Sequence, residues 1–200
     1  ITKPISLTDG DKSIRIEPYA GFKISGTVKF GDNELLKEQS YSAELTPERF
    51  INELAEARTF GFIEQVEELW RNGLALGGSL NNVIAIHWDR QSVLNEEGLR
   101  FDDEFIRHKM LDLIGDLALL GSPVLGHIVA NRSGHSLHHS LMQTIVDRPD
   151  CWEYVTFRKH GHVVEPMVVG TKATWKNKRK KPSSLPGMLL PPLPQPLCMA

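Results

Sequence analysis

The segment DDEFIRHKMLDLIGDLALL (residues 102–120) constrains the chain more than any other, because two opposed demands run through it at one helical period. At 100° per residue, Ile106, Met110, Leu113, Ile114, Leu117 and Leu120 gather on one side. His108, Asp112 and Asp116 recur at i, i+4 on the other. Such a helix must bury one face in a core while holding an imidazole and two carboxylates together elsewhere. A neutral imidazole and a carboxylate one turn apart can both reach a metal ion from a rigid backbone. The spacing permits this without requiring it, since an HxxxD pair is also common on solvated faces. A catalytic zinc needs about three protein ligands plus an open position, and this helix supplies two.

Around that helix, strand and helix patterns are interspersed. Ile14 and Ile16 alternate with charged residues in KSIRIE, and Ile24, Val28 and Phe30 continue the two-residue period in KISGTVKF. Thr46-Pro47-Glu48 predicts a helix start, with a hydroxyl cap, a proline at the first position and an acid near the positive end. Phe50, Leu54 and Ala57 then share one face. Val66, Leu69 and Trp70 form a short apolar stripe that Gly73 stops. VIAIHW (83–88), PVLGHIVA (123–130) and WEYVTF (152–157) read as strands, the last as the final strand of the body, and about 136–146 as a further helix. This order predicts an α+β two-layer sandwich of one mainly antiparallel sheet against helices. Residues 63–88 form a small βαβ insert within it.

Charge divides the chain. All 25 acidic residues lie at or before Glu165, so the body carries 17 basic against 25 acidic residues, a net −8. From residue 171 onward the only charges are six Lys and Arg, and half of the 12 prolines follow there. Proline removes a backbone donor and fixes φ, so about 172–200 is expected to be a disordered or polyproline-like extension. A basic run of this kind could hold an anion, nucleic acid or a membrane surface, and PPLPQP could dock on an aromatic groove. A solvated tail is the simpler reading. No stretch approaches the roughly 18 apolar residues of a transmembrane helix, and no secretory signal opens the chain. Only Cys151 and Cys198 occur, too few for a disulfide framework, which favours a reducing, cytoplasmic setting.

ARTFGF (57–62), GLALGGSLNN (73–82), LRFDDEFIRHKMLDLIGDLALLG (99–121), RSGHSL (132–137) and WEYVTF occur in an order that resembles the UDP-3-O-acyl-N-acetylglucosamine deacetylase family of bacterial lipid A synthesis. PISLTDGDKSIRIEPYAGFKI (4–24) resembles the opening of that family's second domain. The resemblance covers about residues 1–158, leaving 159–200 as a divergent basic, proline-rich tail. It implies a Zn2+ cofactor held by His108 and Asp112. It also implies that Asp116 orients and charge-stabilises His135, which would stabilise the oxyanion and protonate the leaving amine.

Thr59 would help bind the oxyanion and Phe60 would pack on the sugar. Lys109 would pair with the nucleotide diphosphate. Arg132, where the family commonly has Lys, would hold phosphate with a planar fork. The insert would form the acyl-chain passage, with Val66, Ala75, Gly78, Ser79 and Ala85 along it. The family's third zinc ligand, a His, and its general base, a Glu, come from an EHxxxA-type motif in an N-terminal domain. These 200 residues lack that motif, so the expected partners are a UDP-linked acylated N-acetylglucosamine and the missing N-terminal domain. No nucleic acid is expected. His87, His127, His138, His139, His160 and His162 match no family position and are expected to be surface residues or spectators. Two other readings stand beside this one: a non-catalytic nucleotide-lipid binding half-domain, and an interaction protein acting through its tail.

Overall fold

The alternating segments pair as strands and the amphipathic ones cover them. The structure, a computed structural model, describes residues 1–160 and 163–170. In chain order the elements are β1 (Ile5–Asp9), β2 (Lys12–Glu17), β3 (Phe22–Val28), β4 (Gln39–Glu44), α1 (Pro47–Arg49), β5 (Thr59–Phe62) and α2 (Ile63–Arg71). There follow β6 (Val83–Ile86), α3 (Glu104–Ala118), β7 (Gly126–Asn131), α4 (His135–Asp147), β8 (Tyr154–His160) and β9 (Val163–Gly170). Ile1–Glu153 form one compact unit, and the described residues from Tyr154 onward belong to a second.

In the first unit a five-stranded sheet runs in the order β1-β2-β7-β3-β4. Only the β3–β7 pair is parallel, so the expected α+β sandwich on a mainly antiparallel sheet holds. Register places Ile5, Ile16, Ile128, Ile24 and Ala43 in one row across all five strands, every one of them buried. The period of two puts the whole row on the face that the helices cover. α4 lies over β1 and β2, α3 over β3 and β4. In the adjacent row Gly26 leaves the space that Met110 fills. A Cβ there would stand 2.3 Å from the Met110 methyl carbon.

α3 serves two cores. Ile106, Met110, Leu113 and Leu117 enter the sheet core, while Phe105 joins Leu36, Ile84 and Ile86 in a second cluster beneath the insert. The insert is a βαβ unit with β5 and β6 parallel, and it starts at Thr59, four residues before the position expected from sequence. TFGF is too short to show a period, so only its pairing with β6 reveals it as a strand. Gly73, at φ 71°, ends the insert helix as expected, and Leu74 N–H donates to Leu69 O at 2.8 Å.

Two further expectations need correction. Thr46 Oγ1 caps the helix start as expected, accepting from Arg49 N at 3.1 Å. That helix then widens into a π-turn over Phe50–Leu54, so Ala57 lies beyond it and not on its face. WEYVTF does not close the main sheet. Its strand begins at Tyr154 and pairs antiparallel with β9, a neighbour in sequence, as a hairpin of the second unit. The tail expected over 172–200 lies outside the described residues. Among those described, no helix is long and apolar enough to cross a membrane.

Leu113 is fully buried under α3, so Leu113→Ala should cost about 2–5 kcal/mol in urea denaturation. Leu119→Ala, at a side chain 73% exposed, should stay within about 0.5 kcal/mol.

Candidate active site and metal centre

The polar edge of α3 gathers its groups as the helical spacing requires. His108 Nε2 lies 3.3 Å from Asp112 Oδ1, and Lys109 Nζ lies 3.5 Å from Asp112 Oδ2. His108 Nδ1–H donates to Ala57 O at 3.2 Å, which orients the ring and turns Nε2 toward Asp112. From the start of α4, His135 places Nε2 3.9 Å from Asp112 Oδ2 and Nδ1 2.7 Å from Asp116 Oδ2. Four of the residues singled out in the sequence, His108, Asp112, Asp116 and His135, therefore meet at one place.

A fifth member was missed. His138, expected to be a surface residue or spectator, is 1% exposed in its side chain and donates Nδ1–H to the same Asp116 oxygen at 2.7 Å. Its Nε2 accepts from Ser133 Oγ at 2.9 Å. The signal was present in GHSLHH: positions 135 and 138 are i, i+3 and share a helix face. Asp116, His135 and His138 place ligand atoms within 4.8 Å of one another, the spacing of a metal group. His138 has both ring nitrogens engaged and is sealed from solvent, however, so this trio is a hydrogen-bond network centred on Asp116. The open donor pair is His108 with Asp112.

Burial pushes the Asp116 carboxyl up, but hydrogen bonds from His138 and His135 outweigh it and hold it below the usual carboxylate range. Burial also lowers the His138 imidazole, against the pull of Asp116.

The strand beside α3 is tied down by an ion pair that sequence did not reveal. Glu104, fully buried, accepts from Arg58 N and Nε at 2.9 Å, Arg58 Nη2 at 3.1 Å and Arg100 N at 2.6 Å. Burial raises Glu104, yet these bonds leave it below its ordinary value, and Glu104 in turn raises Arg58. Arg58 also reaches Glu97 and Gly98 O. An acid in the first turn of a helix reads locally as a partner of the helix dipole, and nothing local names an arginine 46 residues away.

An apolar cavity of about 520 Å³ opens between α2 and the β5–β6 pair. All of the expected passage residues, Val66, Ala75, Gly78, Ser79 and Ala85, line it, together with Thr59 and Phe60. A neighbouring, more open hollow of about 550 Å³ shares Thr59, Ala75 and Gly78 and reaches His108, Arg58, Arg100 and Asn81. The Phe60 ring lies 6.2 Å from the His108 ring and 4.7 Å from that of Phe105. Arg132, three residues before His135, is in a left-handed conformation (φ 50°) with its guanidinium paired to Asp11. His127, on the outer sheet face, is held between Glu17 and Ser25, and His87 pairs with Asp89. His139 is mostly exposed, 3.7 Å from Asp116. The His160 side chain and His162 lie outside the described residues.

Glu104→Ala strands a buried guanidinium and should cost about 3–5 kcal/mol in chemical denaturation. Glu97→Ala, at a half-exposed partner, should cost under about 1 kcal/mol. The lowered His138 sets a pH window. Unfolded imidazole takes its proton near the ordinary 6.5 while the folded one resists, so stability is fully present above 6.5 and falls as pH drops below it. The carboxylate contributions of Asp116 and Glu104 are lost lower, below 3.8 and 4.5. Urea midpoints of His138→Asn should therefore be flatter than the parent's just below pH 6.5 and alike above it.

Residues 1–147 match the family model of UDP-3-O-acyl N-acetylglycosamine deacetylase. Among curated relatives, the UDP-3-O-acyl-N-acetylglucosamine deacetylase of Acidithiobacillus ferrooxidans is 46% identical over 159 residues, covering 78% of this chain and 51% of the relative. That of Oleidesulfovibrio alaskensis is 45% identical over 175 residues, covering 86% and 56%. That of Myxococcus xanthus is 45% identical over 159 residues, covering 80% and 50%. The chain spans about half the length of the curated relatives it matches. With the domain match over most of its length, the chain belongs to the UDP-3-O-acyl N-acetylglycosamine deacetylase family.

Proposed function

We propose that this chain is the zinc- and substrate-holding half of a deacetylase that hydrolyses the N-acetyl group of UDP-3-O-acyl-N-acetylglucosamine, releasing acetate, in cytoplasmic lipid A synthesis. The observation that carries the reading is the meeting of His108, Asp112, Asp116 and His135 beside an apolar cavity.

The donor set fits zinc. Two ligand atoms on a tetrahedral zinc, each about 2.0–2.1 Å from the ion, stand about 3.4 Å apart. His108 Nε2 and Asp112 Oδ1 stand 3.3 Å apart, and the Ala57 carbonyl orients the imidazole as an outer hydrogen-bond partner should. When bound, zinc acidifies water and polarises the amide carbonyl of the substrate.

The chain's own residues divide the remaining work. His135, oriented through Nδ1 by Asp116, presents Nε2 on the Asp112 side, where it stabilises the oxyanion and delivers a proton to the departing amine. The Thr59 hydroxyl donates to the same oxyanion. Phe60 packs on the sugar ring, and Lys109 and Arg132 take the diphosphate. The cavity along Val66, Ala75, Gly78, Ser79 and Ala85 receives the acyl chain and keeps it from water. In this reading the third zinc ligand and the general base come from an N-terminal domain outside these residues, so the chain alone does not deacetylate.

Zinc binding tests this without an assay of turnover. Competition with a chromophoric chelator should give weak binding to the chain, at least about tenfold tighter once the other half of a full-length relative is supplied. Asp112→Ala should abolish binding in both cases. Zinc retained unchanged by Asp112→Ala would sink the assignment.

A further inference from the structure

The acyl cavity has two kinds of wall. Gly61, Val66 and Ala85 lie within it, whereas Leu69, Trp70, Leu80 and Leu94 line it and are still substantially exposed. The second group is therefore its rim on solvent. Trp70 differs from the other three because it is pinned. Its indole Nε1–H donates to Ala75 O at 3.2 Å, bolting the last turn of α2 to the loop that follows. Ala75 supports that bond from a left-handed conformation (φ 54°) and itself lines both hollows. Trp70 is 47% exposed, so part of its apolar surface is held open at the mouth among the described residues. A pinned aromatic ring offers contact area with little conformational entropy left to lose.

We propose that Trp70 is a specificity-determining residue that reads acyl-chain length at the mouth of this cavity. A straight chain long enough to reach the mouth covers the indole, and a shorter one ends among Gly61, Val66 and Ala85 without touching it. The proposal rests on the reading that the cavity holds the acyl chain. Each methylene buried contributes about 0.8 kcal/mol, or about fourfold in affinity. Removing the ring should therefore erase the gain for the last methylenes alone.

The test is calorimetric titration of the full chain with straight-chain fatty acids from octanoate to palmitate. Parent affinity should climb about fourfold per methylene along the series. Trp70→Ala should bind octanoate like the parent and lose about tenfold or more for palmitate, since two or three methylenes lose their contact. Trp70→Phe, which keeps a ring but not the N–H, should fall between them. Val66→Phe, which narrows the bore, should weaken every acid. If Trp70→Ala keeps the parent's length dependence while Val66→Phe weakens binding, the cavity holds acyl chains and the proposal for Trp70 fails. If the parent binds no acid, or Val66→Phe changes nothing, the acyl reading of the cavity fails as well.

Discussion

The site depends on a buried charge pair that takes no part in its chemistry. Glu104 and Arg58 are both inside the fold, where an unpaired ion would cost several kcal/mol, so each requires the other in place. Because Glu104 accepts from the Arg58 backbone as well as from its guanidinium, it fixes the path of the main chain and not merely a side chain. One turn further along α3, His108 grips the Ala57 carbonyl. The start of β5 is thus held at two successive turns of the helix, and Thr59 and Phe60 follow immediately. Distances between the hydroxyl of one element and the imidazole of another are set by this clamp.

α3 can carry such precision because it is anchored on two sides. Its sheet-facing residues enter the main core and Phe105 enters the insert core. Rotating the helix would have to unpack both clusters. The remaining polar edge, His108 to Asp116, therefore has little freedom, which is the condition under which i, i+4 side chains make a defined site. Asp116 adds a further restraint by binding His135 and His138 through one oxygen, so that α4 is keyed to α3 by charge-assisted bonds as well as by packing.

Much of this was legible in the sequence because the signals were local. The two faces of α3, the Thr46 cap, the Gly73 stop and the alternating strands each occupy a few consecutive residues whose spacing carries the information. The family resemblance, and not local spacing, pointed to the insert residues that line the cavity and to Asp116 beside His135. What escaped was non-local. The Arg58–Glu104 pair joins residues 46 positions apart, and β5 is a strand only because β6 lies beside it. WEYVTF has strand composition, but composition does not choose a partner, and the adjacent β9 took it. His138 was the avoidable omission, since its spacing from His135 already put it on the same face.

The position of β7 has a consequence for how such a chain comes to be folded. Its strand sits between β2 and β3 and pairs with both, yet it is made more than 90 residues after β3. During synthesis β1–β2 and β3–β4 can form as separate hairpins, each exposing an open edge toward the gap. Closing two long loops at once is slow, and open edges invite pairing with other chains. The connection from β3 to β7 contains the clamp, the insert and α3. The helix that carries the candidate site is therefore synthesised before the sheet beneath it can be whole, and β7 is the strand that joins the two hairpins. A nascent chain released before Gly126 would have its site helix but only two unjoined hairpins to rest it on.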